Sequence, residues 1–286
     1  MLETISAYLT LSKARIVLLV TISTVIGFFL GGNGIHSIPL LMFTIVGIAL
    51  VTAGGAALNQ YLERDADAKM HRTQDRPLPS EFISPSQALK YGINMVLVGL
   101  AVLIWKVNLL VSFLALLSAF LYVLVYTPLK KYTWWNTFIG AIPGAIPPMI
   151  GWAAASNDLE IGAWVLFAII FVWQFPHFYP LAWMFREDYA RGGFKMLPVI
   201  EPDGKSTFRQ IIWYSILLIP VSTLPTFIEM AGQTYLFGAV ILSVAFLGLG
   251  ILFVKTKTFA NADKLFKASL VYLPLLFILI VFDFKI

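Results

Sequence analysis

Long runs without a charged residue constrain this chain more than any other feature of its sequence. Residues 16–62 contain no Asp, Glu, Lys or Arg, and about 20 apolar residues suffice for one helix to cross a bilayer. This run therefore predicts two crossings, and its GGNG segment at 31–34 supplies the turn between them. Each of seven further charge-free runs predicts one crossing: 91–105, 107–129, 132–157, 161–185, 210–228, 230–254 and 268–282.

The chain is accordingly predicted to be an all-α, polytopic membrane protein with nine transmembrane helices, and the lipid bilayer is its first partner. Charged residues make up 12% of the chain and apolar residues 59%, which excludes a soluble enzyme, a disordered chain and a DNA-binding domain. There is no cysteine, so a disulfide, a thiolate nucleophile and a cysteine-ligated metal are also excluded.

The basic residues predict the orientation of the chain. If the N-terminus is cytoplasmic, all but two of the 20 Lys and Arg residues lie on the cytoplasmic side, the exceptions being Lys106 and Lys285. Such a bias sets the topology of membrane proteins. It also explains the net charge of +5 without a nucleic-acid partner. We expect a multi-pass protein of a bacterial plasma membrane, with an active site that faces the cytoplasm.

The first cluster of candidate functional residues ends the second predicted span. Asn59, Glu63 and Asp67 follow one another at intervals of four, so they drift only about 80° around a helix and share one face. Carboxylate and amide oxygens suit Mg²⁺, and the guanidinium groups of Arg72 and Arg76, which follow, suit phosphate. The cluster predicts a metal–diphosphate site, although a solvated helix end with mixed charges is an equally open interpretation.

The second cluster ends the sixth predicted span. His177 precedes Asp188 by eleven residues, which on a continuous helix is three turns on one face, with a rise of about 16 Å. His177 would then lie near mid-bilayer, where an ionisable residue is a functional-site hypothesis. It can ligate iron or exchange a proton, and an interhelical hydrogen bond is the alternative. Pro176 and Pro180 predict a kink around it.

The positions of the charged clusters suggest an internal repeat. Acid clusters end spans two and six, and basic pairs end spans four and eight. This predicts a single transmembrane domain, residues 1–286, made of two four-helix units, at about 10–131 and 132–257, and a ninth helix. Glu187 and Asp188 could then face the first cluster and hold a second metal ion around one diphosphate. Lys130 and Lys131, at the end of span four, could meet its phosphates.

The fifth predicted span contains IPGAIPPMIGW at 142–152. Proline lacks a backbone donor and interrupts the hydrogen-bond ladder of a helix. Irregular backbone at membrane depth is tolerated where it is packed in protein or lines a cavity. This sequence therefore predicts a helix that is broken or closely packed.

Four motifs carry a resemblance to a known family: NxxxExxxDxxMxRTxxRPL at 59–78, YTPLKKYTWWNTFIGAIPGAIPPMIGW at 126–152, WQFPHF at 173–178 and LAWMFREDYARGGFKMLPV at 181–199. They resemble the UbiA-type intramembrane prenyltransferases and, within them, the branch that acts on heme. The resemblance implies nine helices around a central cavity. It also implies transfer of a farnesyl group from farnesyl diphosphate to the 2-vinyl group of heme b with addition of water, giving heme O.

The resemblance also implies roles for single residues and for partners. It implies Mg²⁺ as the cofactor, held by Asn59, Glu63, Asp67 and Asp188, with Glu187 beside them. It implies that Arg72, Arg76 and Lys130 bind the diphosphate. Lys131 is a candidate by its position beside Lys130, and a role in topology alone is the alternative for either lysine. His177 is peculiar to the heme branch, which connects it with the porphyrin. A downstream heme-modifying oxidase is the partner protein that the resemblance suggests.

The second acidic motif departs from the wider family, because Phe185 and Tyr189 stand where Asp often occurs. Three other functions also fit parts of the sequence. The acceptor could be an aromatic quinone precursor instead of heme. A secondary transporter would share the nine spans and the midplane histidine, but here the acids and arginines gather at one face. A heme-binding subunit without enzymatic activity would need neither metal nor diphosphate.

Overall fold

The charge-free runs form helices that are long and apolar enough to cross a bilayer. The computed structural model describes residues 2–285, and within them it has nine such spans and no strand. The all-α prediction with nine spans is thereby confirmed. The helices are α1 Leu2–Leu11, α2 Ala14–Gly31, α3 Ile38–Asp67, α4 Pro85–Lys106, α5 Leu109–Phe120, α6 Thr127–Leu129, α7 Asn136–Ala145, α8 Pro147–Ser156, α9 Ile161–Met184, α10 Arg186–Arg191, α11 Leu197–Ile200, α12 Lys205–Phe227, α13 Gln233–Thr256 and α14 Phe259–Phe282.

The first two spans separate where the glycine-rich segment predicts a turn. Gly34 has a φ of 122°, a conformation that glycine adopts without steric cost. Ser37 then caps α3 by accepting a hydrogen bond from the backbone N–H of Leu40. Helix α3 continues beyond its charge-free run to Asp67, so one rigid element carries all three residues of the first candidate cluster.

The chain divides into two compact units. The first comprises Met1–Asp158 and Glu187–Lys195, and the second comprises Leu159–Arg186 and Met196–Ile286. Spans one to five thus belong to the first unit and spans six to nine to the second. The predicted single domain with a four-helix repeat and a separate ninth helix stays a prediction.

Two helices of the first unit touch through their backbones. A Cβ atom added to Gly151 of α8 would lie 1.8 Å from the carbonyl oxygen of Thr24 on α2, and one added to Gly27 would lie 2.0 Å from the carbonyl oxygen of Pro148. Small residues permit such close approach between transmembrane helices. The fifth span breaks at Ile146, between α7 and α8, as its prolines predict.

The second unit packs its four spans around shared polar contacts. Helix α9 packs against α12 and α14, and α13 packs against both of them as well. The hydroxyl of Tyr272 on α14 lies 2.8 Å from the hydroxyl of Ser222 on α12 and 2.8 Å from that of Ser243 on α13. Buried hydroxyl groups therefore tie three of these helices together at membrane depth.

The prediction of one continuous helix from His177 to Asp188 is wrong. Helix α9 ends at Met184, Phe185 leaves the helical conformation, and α10 begins at Arg186. The Arg186 guanidinium donates to the carbonyl oxygen of Trp183 and lies over its ring. A basic side chain at the last carbonyls satisfies acceptors that the next helical turn would otherwise use. Helix α9 continues through Pro176 and Pro180.

The contact between α2 and α8 predicts a large effect of one methyl group. Gly151→Ala should lower the free energy of unfolding by about 1–3 kcal/mol, because the new Cβ must push the two backbones apart. Thermal unfolding of the protein in detergent measures this. The matched control is Gly248→Ala, since a Cβ at Gly248 of α13 meets nothing within 4 Å. Equal melting temperatures for both variants would contradict the close helix contact.

Candidate functional site

The end of α3 carries a buried polar face in the first unit. Asn59, Glu63 and Asp67 are 0%, 5% and 1% exposed, whereas the side chain of Asp65 on the opposite face is 76% exposed. Their spacing along α3 brings all three to one side of the helix. Burial of two carboxylates is costly unless cations accompany them, and the structure supplies those cations.

Each of the two carboxylates forms an ion pair with a basic residue. Lys130 Nζ lies 2.8 Å from Glu63 Oε1, and Arg76 Nη1 donates to Asp67 Oδ2 at 2.7 Å. Burial alone would lower the pKa of the Lys130 ammonium, but Glu63 beside it and the ring of Tyr126 raise that pKa above its usual value. Lys130 is therefore charged at neutral pH.

A third cation joins this cluster from the junction of α1 and α2. Lys13 Nζ donates to Asn59 Oδ1 at 2.6 Å and to the hydroxyl of Tyr122 at 3.3 Å. Burial, followed by the charges of Arg76 and Lys130, lowers the pKa of Lys13 to about 7. An anion beside these groups would favour the charged form of Lys13. The sequence pattern around Lys13 predicts only a role in topology.

A π-helical segment positions the amide of Asn59. Residues Leu121–Tyr126 form this segment between α5 and α6, and Thr127 Oγ1 donates to the carbonyl oxygen of Tyr122 at 2.8 Å. The same hydroxyl accepts from Asn59 Nδ2 at 2.9 Å. Such segments insert one residue into a helix and re-aim the side chains beside it. Because Asn59 Nδ2 is bonded to Thr127, the amide is oriented with its Oδ1 toward Lys13.

Asp188 reaches the loop that follows α3. Its Oδ1 accepts from the backbone N–H of His71 at 3.1 Å and from the guanidinium of Arg191. Burial alone would raise the pKa of Asp188, but these two donors outweigh it and hold the pKa below its ordinary value. Lys195 N donates to the carbonyl oxygen of Lys130 at 2.7 Å. Residues 187–195 are therefore fixed to the first unit beside the α3 cluster.

Three of the predicted site residues lie at the surface. Glu187 and Lys131 are exposed, so neither contributes to the buried cluster in this conformation. Arg72 is also exposed, and its guanidinium lies 5.6 Å from the ring centroid of Tyr189 and 3.5 Å from its hydroxyl. The structure brings together Asn59, Glu63, Asp67, Arg76 and Lys130, and Asp188 of α10 bonds to the loop that follows α3.

The buried face fits an oxygen-coordinated cation in its chemistry. Asp67 Oδ1 and Gln60 Oε1 are buried and have no hydrogen-bond partner, and unpaired oxygens of this kind are the ligands that Mg²⁺ takes. Within residues 2–285 no three Asp, Glu or His side chains stand close enough to hold a metal ion by themselves. Basic side chains hold Glu63 and Asp67 instead, so the metal-ligand set stays a prediction.

His177 lies in the second unit, where aromatic rings enclose it. Its ring stacks on Trp173 at 4.6 Å and on Phe266 at 5.0 Å between centroids. Its Nδ1 lies 2.6 Å from the Ser269 hydroxyl. Trp173 Nε1 donates to the backbone carbonyl of Ser269 at 3.1 Å, so helix α14 fixes both rings. The interhelical hydrogen bond that was one interpretation of His177 is present.

A second contact of the Ser269 hydroxyl favours one tautomer of His177. The hydroxyl lies 2.5 Å from the carbonyl oxygen of Phe266, to which it can donate its single proton, and it then accepts from His177 Nδ1. In this tautomer Nδ1 carries the proton, and Nε2 of the neutral ring keeps its lone pair. A lone pair held in a fixed direction suits a metal ligand or a proton acceptor. Ser269 carries no signal in the sequence, because it is one serine within a long apolar span.

Comparisons with known proteins agree with these observations. The family model described as the UbiA prenyltransferase family matches residues 20–278. The chain is 46% identical over 285 residues to a protein of Solibacter usitatus named protoheme IX farnesyltransferase, covering 96% of this chain and 98% of that protein.

Solved structures with the same fold include the one reported for digeranylgeranylglyceryl phosphate synthase, with a TM-score of 0.82, 20% identity and 98% of both chains covered. A UbiA homologue from Archaeoglobus fulgidus bound to GPP and Mg²⁺ has a TM-score of 0.69 and 17% identity, covering 96% of this chain and 99% of that one. At these sequence identities, the two structures show that this chain has the same fold.

The position of Lys13 predicts a role in holding anions. Lys13→Met should weaken the binding of inorganic diphosphate by about ten- to a hundredfold, because one charge-assisted hydrogen bond contributes about 1.5–3 kcal/mol. Isothermal titration calorimetry on the purified protein measures the change. The control is Lys106→Met, since Lys106 lies over the ring of Phe43 at the far end of α4. Equal affinities for both variants would remove Lys13 from the site.

Proposed function

Because the chain belongs to the UbiA prenyltransferase family, we propose that it transfers the farnesyl group of farnesyl diphosphate to heme b. A relative that is 46% identical to this chain is named for that reaction, protoheme IX farnesyltransferase. The observation that carries the proposal is the buried face of α3, where Arg76 and Lys130 pair with two carboxylates and Lys13 donates to Asn59 beside them. Three cations beside two acids form a site for an anion.

The basic residues bind the diphosphate of the donor. Lys13, Arg76 and Lys130 present ammonium and guanidinium groups to its oxygens, and the exposed Arg72 guides its approach. A bound Mg²⁺, held by Asn59, Glu63, Asp67 and Asp188, would neutralise the negative charge that develops on the leaving group. The Archaeoglobus fulgidus homologue bound to GPP and Mg²⁺ supports a metal-dependent transfer.

The reaction begins with cleavage of the carbon–oxygen bond of farnesyl diphosphate. The electron pair of that bond leaves with diphosphate, and the basic residues stabilise the charge where it develops. The heme 2-vinyl group then attacks the allylic cation through its terminal carbon. Water adds to the new cation beside the porphyrin ring and loses a proton, which gives the hydroxyethylfarnesyl group of heme O.

His177 contributes to the acceptor side of the reaction. With Nδ1 donating to Ser269, its Nε2 lone pair is the ligand that we assign to the heme iron. The stacked rings of Trp173 and Phe266 hold the imidazole plane fixed, which limits its rotation when heme arrives. Ser269 therefore acts on heme through His177 and is a positioning residue.

The site faces the cytoplasm of a bacterial cell in this proposal. All but two of the 20 Lys and Arg residues lie on the side that we assign to the cytoplasm, and this bias sets membrane topology. The α3 cluster and Asp188 lie at that side of a plasma-membrane protein. The product heme O passes to a heme-modifying oxidase, which is the partner protein expected in this proposal.

A reconstituted assay tests the reaction. We expect the purified protein with heme b, farnesyl diphosphate and Mg²⁺ to give a heme that gains farnesyl and water by mass spectrometry, and a chelator to abolish the gain. Glu63→Gln and Asp67→Asn should each lower the rate by about a hundredfold or more. Asp65→Asn, which changes the exposed carboxylate of the same helix, should leave the rate unchanged.

Two outcomes of this assay would contradict the proposal. A Mg²⁺-dependent product with an aromatic acceptor, and none with heme, would keep the diphosphate site and discard the heme assignment. Full activity of Glu63→Gln and Asp67→Asn would mean that the buried face of α3 has a structural role alone.

The tautomer of His177 leads to a separate expectation. His177→Ala should weaken heme binding and shift the Soret band, because the iron loses its nitrogen ligand. Ser269→Ala should shift the same band by a smaller amount, since the ring is no longer held in one tautomer. Absorption spectra of the heme-loaded protein measure both changes. Ser243→Ala, which removes a buried hydroxyl bonded to Tyr272, is the control. An unchanged Soret band in His177→Ala together with lost turnover would assign His177 to the water step instead.

A further inference from the structure

The second unit contains a groove that the proposed reaction does not use. It lies between the start of α12 and the end of α13 and has a volume of about 560 Å³. Its polar lining consists of Asp203, Lys205, Arg209 and Lys257, and its apolar lining of Phe208, Ile212, Trp213 and Val254.

Cations dominate the polar end of the groove. Lys205 and Arg209 occupy successive turns of α12, and Lys257 follows α13. The one acidic residue in the lining, Asp203, accepts from the backbone N–H of Lys205 at 3.1 Å, which directs its carboxylate to the start of α12. Three basic side chains therefore surround a space that suits one or two negative charges.

Lys257 occupies its place at the cost of an unfavourable backbone conformation. Its φ is 54° and it follows the last turn of α13, a left-handed position that glycine usually takes. Its Nζ lies 5.0 Å from the ring centroid of Phe208, so the ammonium group is aimed into the groove. The aromatic face stabilises a cation there without neutralising it.

The apolar end of the groove leads to the membrane surface of α12. Trp213 is 63% exposed, and Ile216 and Leu217, one turn further along α12, are also exposed. The ends of two spans meet at the polar side, which places the cations at the boundary between membrane and water. Trp at such a boundary has its ring in the headgroup layer. The groove thus combines a cationic mouth with an apolar wall that continues toward the lipid chains.

We propose that this groove binds the phosphate headgroup of an anionic phospholipid, with an acyl chain lying along Trp213, Ile216 and Leu217. Basic pockets between transmembrane helices bind lipids of this class. A zwitterionic lipid would bring its own cation to the three basic side chains and lose much of the attraction. The proposal does not depend on the prenyl-transfer reaction, because no residue of the groove takes part in it.

Quenching of tryptophan fluorescence tests this assignment. The full-length protein in detergent is titrated with phosphatidylglycerol and, separately, phosphatidylcholine, both carrying brominated acyl chains that quench nearby tryptophan. Trp213→Phe identifies the part of the signal that comes from the groove. We expect phosphatidylglycerol to quench this part at a concentration at least about fivefold lower than phosphatidylcholine.

Variants that lose positive charge distinguish lipid binding in the groove from the general attraction of anionic lipids to a basic protein. Arg209→Gln with Lys257→Gln should abolish the preference for phosphatidylglycerol. The control, Lys255→Gln with Lys264→Gln, removes the same charge from exposed positions outside the groove lining and should retain the preference. Melting temperatures check that both variants are folded.

Three results would overturn the proposal. Equal quenching by the two lipids would show that the headgroup charge is not recognised. An undiminished preference in Arg209→Gln with Lys257→Gln would place the recognition elsewhere on the surface. Displacement of phosphatidylglycerol by heme b at equal concentration would assign the groove to the propionate groups of heme instead of a lipid phosphate.

Discussion

The interior of the protein offers no water to a charged group, and this constraint determines how the end of α3 is built. Glu63 and Asp67 are almost inaccessible to solvent, yet both lie on a helix that crosses the membrane. Removing one partner from a buried ion pair costs about 3–5 kcal/mol, so Lys130 and Arg76 are structural requirements of the cluster before any substrate arrives. A bound diphosphate and a divalent cation would add one negative and one positive partner to the acidic and basic side chains of the cluster. The basic groups could then turn to phosphate and the carboxylates to the metal, with the cluster's charges balanced in both states.

Regular patterns in the sequence predict the membrane architecture and the acidic face of α3. The spans are predictable because charged residues are excluded from them, and Asn59, Glu63 and Asp67 are predictable because a helical period links them. Lys13 is 46 residues from Asn59 in the sequence, and no periodicity connects the two. The end of α9 at Met184 has no glycine or proline to mark it in the sequence. The Arg186 side chain donates to the carbonyl oxygen of Trp183, three residues earlier, and no general helix-stop signal announces this local contact.

In the second unit, small hydroxyl residues determine the local geometry. Ser222 and Ser243 hold Tyr272 between three helices, and Ser269 holds His177 in one tautomer. A serine within an apolar run is a weak signal in a sequence, because many such residues bond only to their own helix. The hydrogen-bond partner of His177 thus lies 92 positions away in the sequence, and the packing of α9 against α14 brings the two residues close.

The division of the chain determines when the α3 cluster can be completed during synthesis. Residues 187–195 belong to the first unit, but the segments before and after them belong to the second. Because a chain is synthesised from its N-terminus, spans one to five are made before Asp188. The backbone N–H of His71 has no Asp188 carboxylate to bond until the sixth span has been synthesised. The cluster therefore reaches its final form only late in biogenesis, after the helix that carries His177 has emerged.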